Sequence, residues 1–181
     1  MKTFFTSDHH FHHANILKFK DDEGNLIRPG FDDVEHMNQY MIERWNAVVG
    51  VHDKVYHLGD IIMRSTAKYF DSIMPHLNGR IVLIKGNHDS AKLSVYTRHF
   101  ADVRSEIHMK TKHNDMVLFT HRPVKLSAQE FATKTVYNVH GHIHQNVIDD
   151  LRYINVSVER TNYTPLTWDE IQGIIEERSI R

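Results

Sequence analysis

Asp8-His9-His10, Gly59-Asp60, Gly86-Asn87-His88-Asp89, His121 and Gly141-His142-Ile143-His144 offer carboxylate and amide oxygens together with imidazole nitrogens. Each of these segments follows a stretch that reads as a β-strand. The chain has no cysteine, so thiolate ligation is excluded. Hard oxygens mixed with imidazole suit a divalent cation engaged in hydrolytic chemistry better than a structural zinc site.

Taken singly, the motifs say little. An Asp-x-His pair is common, and His-Leu-Gly-Asp is an ordinary strand-to-turn transition. Gly-Asn-His-Asp after four aliphatic residues is more specific. Gly-His-Ile-His puts two imidazoles two residues apart, which in an extended segment face the same side. Their order on an alternating β/α pattern gives the set its weight. In open α/β sheets, ligand groups collect beyond the carboxyl ends of the strands. Gly59 and Gly86 let the chain turn tightly there, so that the next side chain points into the cleft.

The elements that must position these groups are legible in outline. Lys2–Thr6, Lys54–Leu58 and Arg80–Lys85 read as buried strands. Asp32-Asp33-Val34-Glu35 has the spacing of a helix start with a carboxylate cap and Glu three residues on. Val34, Met37, Met41, Trp45 and Val48 then form one apolar stripe ending near Gly50. Asn15–Arg28 reads as a loop, and Ala67–His76 and Ser90–His99 as helices. Val103–Lys110 and Asp115–Thr120 read as strands joined by a turn at His113-Asn114. Val136–Val139 and Tyr153–Val158 are further strands, and Thr167-Trp168-Asp169-Glu170 opens a terminal helix. The first half is βαβαβα and the second mostly β. The expected fold is α/β (α+β): two sheets packed face to face, flanked by helices.

The 181 residues fit a single domain, 1–181, able to build a core without disulfides. With 22 basic and 23 acidic residues, the formal charge of −1 lacks the basic excess expected for gripping a long nucleic acid. No apolar run approaches the roughly 18 residues of a membrane span. The absence of cysteine and of a signal-like start implies a cytoplasmic protein with no membrane partner. The unusual count is histidine, at 16.

In the order and spacing of its motifs the chain resembles the calcineurin-like metallophosphoesterases. It looks most like small bacterial and phage members that begin with Asp-x-His-Phe and carry Trp-Asn ahead of Gly-Asp. Here those stretches are Asp8-His9-His10-Phe11, Trp45-Asn46 and His57-Leu58-Gly59-Asp60. The resemblance implies a helix-flanked β-sandwich and two divalent metal ions, manganese foremost, with iron, nickel, cobalt or zinc as alternatives. Asp8, His10 and His144 would hold the first ion. Asn87, His121 and His142 would hold the second, and Asp60 would bridge both. His88 would be the catalytic acid at the leaving group, and His9 fills a variable position.

A phosphoesterase of this kind activates a water between its metals, which attacks phosphorus in line. Two dications less the charges of Asp8 and Asp60 leave a local excess of two, suited to a phosphate ligand. The expected substrate is a small phosphomonoester or phosphodiester, with nucleotides and cyclic nucleotides among the possibilities. His13, Arg28 and Arg122 are candidates for touching it, Arg being a bidentate phosphate binder. Asp89 either orients His88 or begins the following helix. The rival readings are a metal-dependent nuclease, disfavoured by the charge balance, and a scaffold of the same fold without activity, disfavoured by the complete motif set.

Overall fold

The computed structural model describes residues 1–64, 66–126 and 135–179. Its strands are β1 (Thr3–Thr6), β2 (Lys54–His57), β3 (Arg80–Ile84), β4 (Asp102–Arg104), β5 (Glu106–Lys110), β6 (Met116–Thr120), β7 (Val136–His140), β8 (Tyr153–Asn155) and β9 (Leu166–Thr167). Its helices are α1 (Val34–Asn46), α2 (Ala67–Ile73), α3 (Leu93–His99) and α4 (Trp168–Ser179). No helix among the described residues is long and apolar enough to cross a membrane.

Side chains alternate between the two faces of a strand, and this sorts the first sheet. Phe4, Val55, Ile81 and Leu83 face one way, against Met37, Met41 and Trp45 of α1 and Phe70 of α2. Phe5, Leu58 and Ile84 face the other way, against Val117, Phe119, Val139 and Ile154 of the second sheet. Phe5 and Phe119 stack across this interface with centroids 4.4 Å apart. Each such buried side chain contributes about 1.5–3 kcal/mol. The result is the expected sandwich of two sheets with helices outside.

Register decides where the motifs emerge. The first sheet has the order β4-β3-β2-β1-β9, with β1 to β4 parallel. Thr6 pairs with His57, and His57 with Leu83. Asp8, Asp60 and Asn87 therefore leave one edge side by side. The second sheet has the order β5-β6-β7-β8. Phe119 pairs with Val139 and Val139 with Ile154, so His121 and the Gly141–His144 segment leave its corresponding edge together.

Several expectations need correction. The cap of α1 is Asp33, whose side chain accepts from the His36 N–H, and not Asp32. The helix ends at Asn46, so Val48 turns outward (40% exposed) and Val49 takes the buried position. The strand expected over Val103–Lys110 breaks at Ser105. β4 joins the first sheet and β5 the second, so the chain crosses the sandwich there. The helix expected from Ser90 begins at Leu93. The loop expected over Asn15–Arg28 includes a 3-10 helix at Ala14–Lys18. β9, antiparallel to β1, is too short to read from sequence. The cap of α4 is as its spacing implies: Thr167 Oγ1 accepts from Glu170 N–H, and Glu170 Oε2 accepts from Thr167 N–H.

Candidate metal centre

Two clusters of donors meet where the two sheet edges come together. Asp8, His10 and His144 form one, and Asp60, His121 and His142 the other. Each cluster takes residues from both sheets. Asn87 joins the second, its Oδ1 lying 3.0 Å from His121 Nε2. Asp60 Oδ2 faces both clusters, 3.4 Å from His121 Nε2 and 3.7 Å from His10 Nε2. Ligand atoms on one cation, each about 2 Å from it, are spaced roughly 3–3.5 Å apart.

The backbone that delivers these side chains is unusual. Asp8, His10, Asp60, His142 and His144 all have positive φ, between 48° and 71°. Non-glycine residues adopt this left-handed conformation infrequently, at a cost of about 1–3 kcal/mol each. Hydrogen bonds hold them: Asp8 N–H donates to Gly59 O and His10 N–H to Asp60 O, both at 3.0 Å. Close packing does the same. A Cβ on Gly86 would run into the Asp60 carboxylate, and one on Gly141 into Ser7 Oγ and the Asp8 carboxylate. Because His142 and His144 are left-handed rather than extended, they do not act on one side together. The turn splits them between the two clusters.

Unsatisfied atoms point to a cation. Asp8 Oδ2 accepts from His142 N–H (2.8 Å) and Ser157 Oγ (3.0 Å), while its buried Oδ1 has no partner. Both ring nitrogens of His10 are likewise buried without a hydrogen bond. Burial without a partner is costly for groups like these. His121 Nδ1 lies 2.8 Å from Leu58 O, which can only accept, so Nδ1 carries the proton. Its Nε2 faces the Asp60 carboxylate at 3.4 Å, where a proton on the ring or a cation in its place supplies the positive charge between them. His144 Nδ1 is fixed similarly by Glu159 Oε1 at 2.9 Å, which turns its Nε2 toward Asp8 and His10.

The electrostatics agree. Burial pushes the Asp8 carboxyl up, and His121 and His144 only partly offset it. Burial also acts to raise Asp60, but the hydrogen bond and charge of His121 and the His88 N–H win and bring it to about 2. Burial and the charge of Arg28 hold His10 well below its ordinary value. His121 and His144 are raised: burial opposes this, but Asp60 and Asp8 for the first, and Glu159 for the second, outweigh it. The neutral His10 and ionised Asp60 are the forms that ligate a cation.

The remaining candidates separate clearly. His88 stands at the mouth, its side chain 45% exposed and its Nε2 4.0 Å from Asp60 Oδ2. Its N–H donates to Asp60 Oδ1 at 2.8 Å. Arg122 is exposed beside His121 and lines a shallow cleft with Lys85 and Asn87. His13 is partly buried, its ring 5.8 Å from that of His10. Arg28 is not placed to meet substrate, being 1% exposed. Its guanidinium donates to Asp8 O (2.5 Å), His9 O (2.7 Å) and Glu159 Oε1 (2.7 and 2.8 Å). It clamps the Asp8–His10 turn from behind.

Sequence reasoning missed Glu159 and Ser157, which sit in no motif. Asp89 does not begin the following helix, which starts at Leu93. Its buried carboxylate accepts from the N–H groups of Asp60 and Gly86, both at 2.8 Å, and so ties two ligand turns together. His9 has a supporting part as well. Gly59 N–H donates to His57 Nδ1 (3.2 Å), so His57 Nε2 bears the proton and donates to His9 Nδ1 (2.9 Å). That chain fixes both tautomers and links the Asp8 and Asp60 turns.

Residues 1–178 match the family model described as calcineurin-like phosphoesterase. An uncharacterised protein of Methanocaldococcus jannaschii is 34% identical over 187 aligned residues, covering 99% of this chain and 94% of that protein. The gene 66 protein of Mycobacterium phage L5 is 37% identical over 89 residues, or 48% of this chain and 39% of its own length. The crystal structure of a protein of unknown function from Aquifex aeolicus superposes with a TM-score of 0.71 at 26% identity, covering 96% of this chain and 98% of that one.

Proposed function

The chain belongs to the calcineurin-like phosphoesterases, and on that premise we propose that it hydrolyses a monoester or diester bond in a small phosphorylated compound. Asp8, His10 and His144 would hold one divalent ion, Asn87, His121 and His142 a second, with Asp60 shared. The observation behind this reading is the convergence of both clusters on Asp60, with Asp8 Oδ1 and His10 Nε2 buried and unpartnered. Such an ion pair, when bound, lowers the pKa of water and neutralises charge on phosphoryl oxygens. Mixed nitrogen and oxygen donors accept several metals, and manganese is our first choice.

The chain's own residues supply the rest. Glu159, Ser157, Asp89 and Arg28 hold the donors in place before substrate arrives. As the phosphorus–oxygen bond breaks, the leaving oxygen needs a proton, and His88 at the mouth donates it. General acid help of this kind is worth about 10²–10⁴ in rate. Arg122, exposed beside His121, supplies positive charge to non-bridging oxygens, and His13 stands near the centre as a substrate contact.

The test is turnover of nitrophenyl monoesters, diesters, nucleotides and 2′,3′-cyclic nucleotides after reconstitution with manganese, iron, cobalt, nickel or zinc. His88→Ala should keep its metal content yet lose turnover, most with alkyl leaving groups and least with nitrophenolate. Equal losses for both would remove the proton-donor role. Metal-dependent cutting of plain DNA with no turnover of small esters would turn the assignment to a nuclease. Silence across the panel would favour a scaffold.

A further inference from the structure

The two backbones that carry the ligands do not stop at the metal centre. Past Asp8–His10 and Asp60 they stay bonded: Phe11 N–H donates to Ile61 O and Met63 N–H to Phe11 O, both at 3.0 Å. Phe11 and Ile62 form a parallel bridge. His13 and Arg64, each two residues further on, leave the same end of that bridge. Both line a cavity of about 490 Å³, together with Asn15, Glu35, Met63 and Tyr69. That volume lies within the range of about 300–1,000 Å³ typical of small-ligand sites.

The cavity adjoins the phosphate position, because the His13 ring lies 5.8 Å from that of the candidate ligand His10. Its charge is uneven. Burial, and then the charges of Arg28, His88, His144 and Arg64, hold the His13 imidazole below its ordinary value, so the ring meets a ligand as a neutral hydrogen-bonding group. The one carboxylate of the lining, Glu35, acts on His12 instead. The Arg64 guanidinium is exposed and has no ion pair among the described residues. Its backbone holds a left-handed conformation, φ 55°. His12 is a wall and not a contact. It accepts from Asn38 Nδ2 at 3.3 Å, lies 3.0 Å from Ser72 Oγ and stacks on Tyr69. Arg64 is thus the cationic group left to meet a ligand, with the His13 ring as a hydrogen-bonding group lining the same cavity.

We propose that His13 and Arg64 form a second anion subsite, which takes a phosphate or carboxylate carried by the substrate next to its scissile phosphate. This rests on the phosphoesterase reading and narrows it to compounds bearing two anionic groups. A charge-assisted contact to Arg64 corresponds to about tenfold in affinity.

The experiment is calorimetric binding of three small probes to manganese-loaded protein: ethyl phosphate, phosphoglycolate and ethylene glycol bisphosphate. They share one phosphate and differ in having no second anion, a carboxylate or a phosphate. The wild type should prefer at least one two-anion probe over ethyl phosphate by about tenfold, and whichever probe gains identifies the anion. Arg64→Ala should erase that preference. Arg80→Ala, at the opposite end of β3, serves as the control for overall charge. No preference in the wild type, an unchanged preference in Arg64→Ala, or an equal loss in Arg80→Ala would each overturn the subsite. Binding needs no turnover, so a protein that prefers two-anion probes but hydrolyses nothing keeps the subsite and loses the phosphoesterase reading.

Discussion

Replacing Glu159 by Gln removes one charge and little volume, and two consequences follow from its contacts. Glu159 is 3% exposed in its side chain. Its Oε1 takes Arg28 Nε and Nη2 and His144 Nδ1, at 2.8, 2.7 and 2.9 Å. Burial acts to raise its pKa, but Arg28 and His144 bring it from 4.5 down to about 2. A depression of that size is worth about 3 kcal/mol. Removing one partner from a buried ion pair costs about 3–5 kcal/mol by a separate route. The lower end applies here, because Arg28 keeps the carbonyls of Asp8 and His9. Metal-free Glu159→Gln should therefore melt about 6–12 °C below the parent protein. Since the carboxylate also fixes His144, metal affinity should fall about 10- to 100-fold. Differential scanning calorimetry and metal titration read these separately.

A structural role alone could produce both losses, so a second variant is needed. Arg28 Nη1 lies 3.6 Å from Met37 Sδ and 3.9 Å from Met41 Sδ, and a methionine there would meet its own kind. Arg28→Met with Glu159→Gln deletes both buried charges, and such replacements are often neutral or stabilising. The double variant should regain melting temperature but not metal affinity. If it regains both, Glu159 does not act through His144. If the single variant melts within about 2 °C of the parent, the buried pair lacks the strength assigned to it.

Asp60→Asn should weaken metal binding at both clusters, each by more than the 100-fold or so expected for an outer partner; two tightly held ions in that variant by elemental analysis would refute the sharing. Acid should weaken the fold through His57, which burial lowers to about 3. The unfolded chain takes up that proton near pH 6.5 and the folded one does not, so stability is lost as pH falls, by about 2 kcal/mol at pH 5. His57→Asn keeps an acceptor for Gly59 N–H and should flatten the pH slope of urea midpoints between 6.5 and 5; an unchanged slope would show that His57 is not held neutral.

Much of the scaffold was legible because it rests on periodicity. Aliphatic runs marked β2 and β3, a stripe of Met and Trp marked α1, and the Thr167–Glu170 spacing marked α4. The donors were legible for a different reason: they cluster at strand ends, where chemistry-bearing side chains have few structural uses. What could not be read was conformation and distance. Nothing in the identities of Asp8, His10, His142 and His144 announces left-handed backbone, so Gly-His-Ile-His reads as extended when it is a turn. Arg28 and Glu159 are 131 residues apart, and each alone reads as surface charge. Only their closure in space shows a buried clamp. The same distance made Arg28 look like a phosphate binder.

The geometry also explains why such a costly arrangement is kept. Five donor residues hold left-handed backbone, at about 1–3 kcal/mol each. Each strained donor is tied to the sheet edge or to another donor. Asp8 bonds Gly59 O and receives His142 N–H, Asp60 receives His88 N–H, and Gly141 N–H donates to His121 O. The clusters divide along the same lines. One takes Asp8 and His10 from the first sheet and His144 from the second, and the other takes Asp60 from the first and His121 and His142 from the second. A cation in either cluster would therefore join both halves of the sandwich. Because ligands of the unfolded chain are scattered, the free energy of binding would then add to that of folding. The strain is the local cost of turning donors inward, and the ions it serves would return stability across the sheet interface.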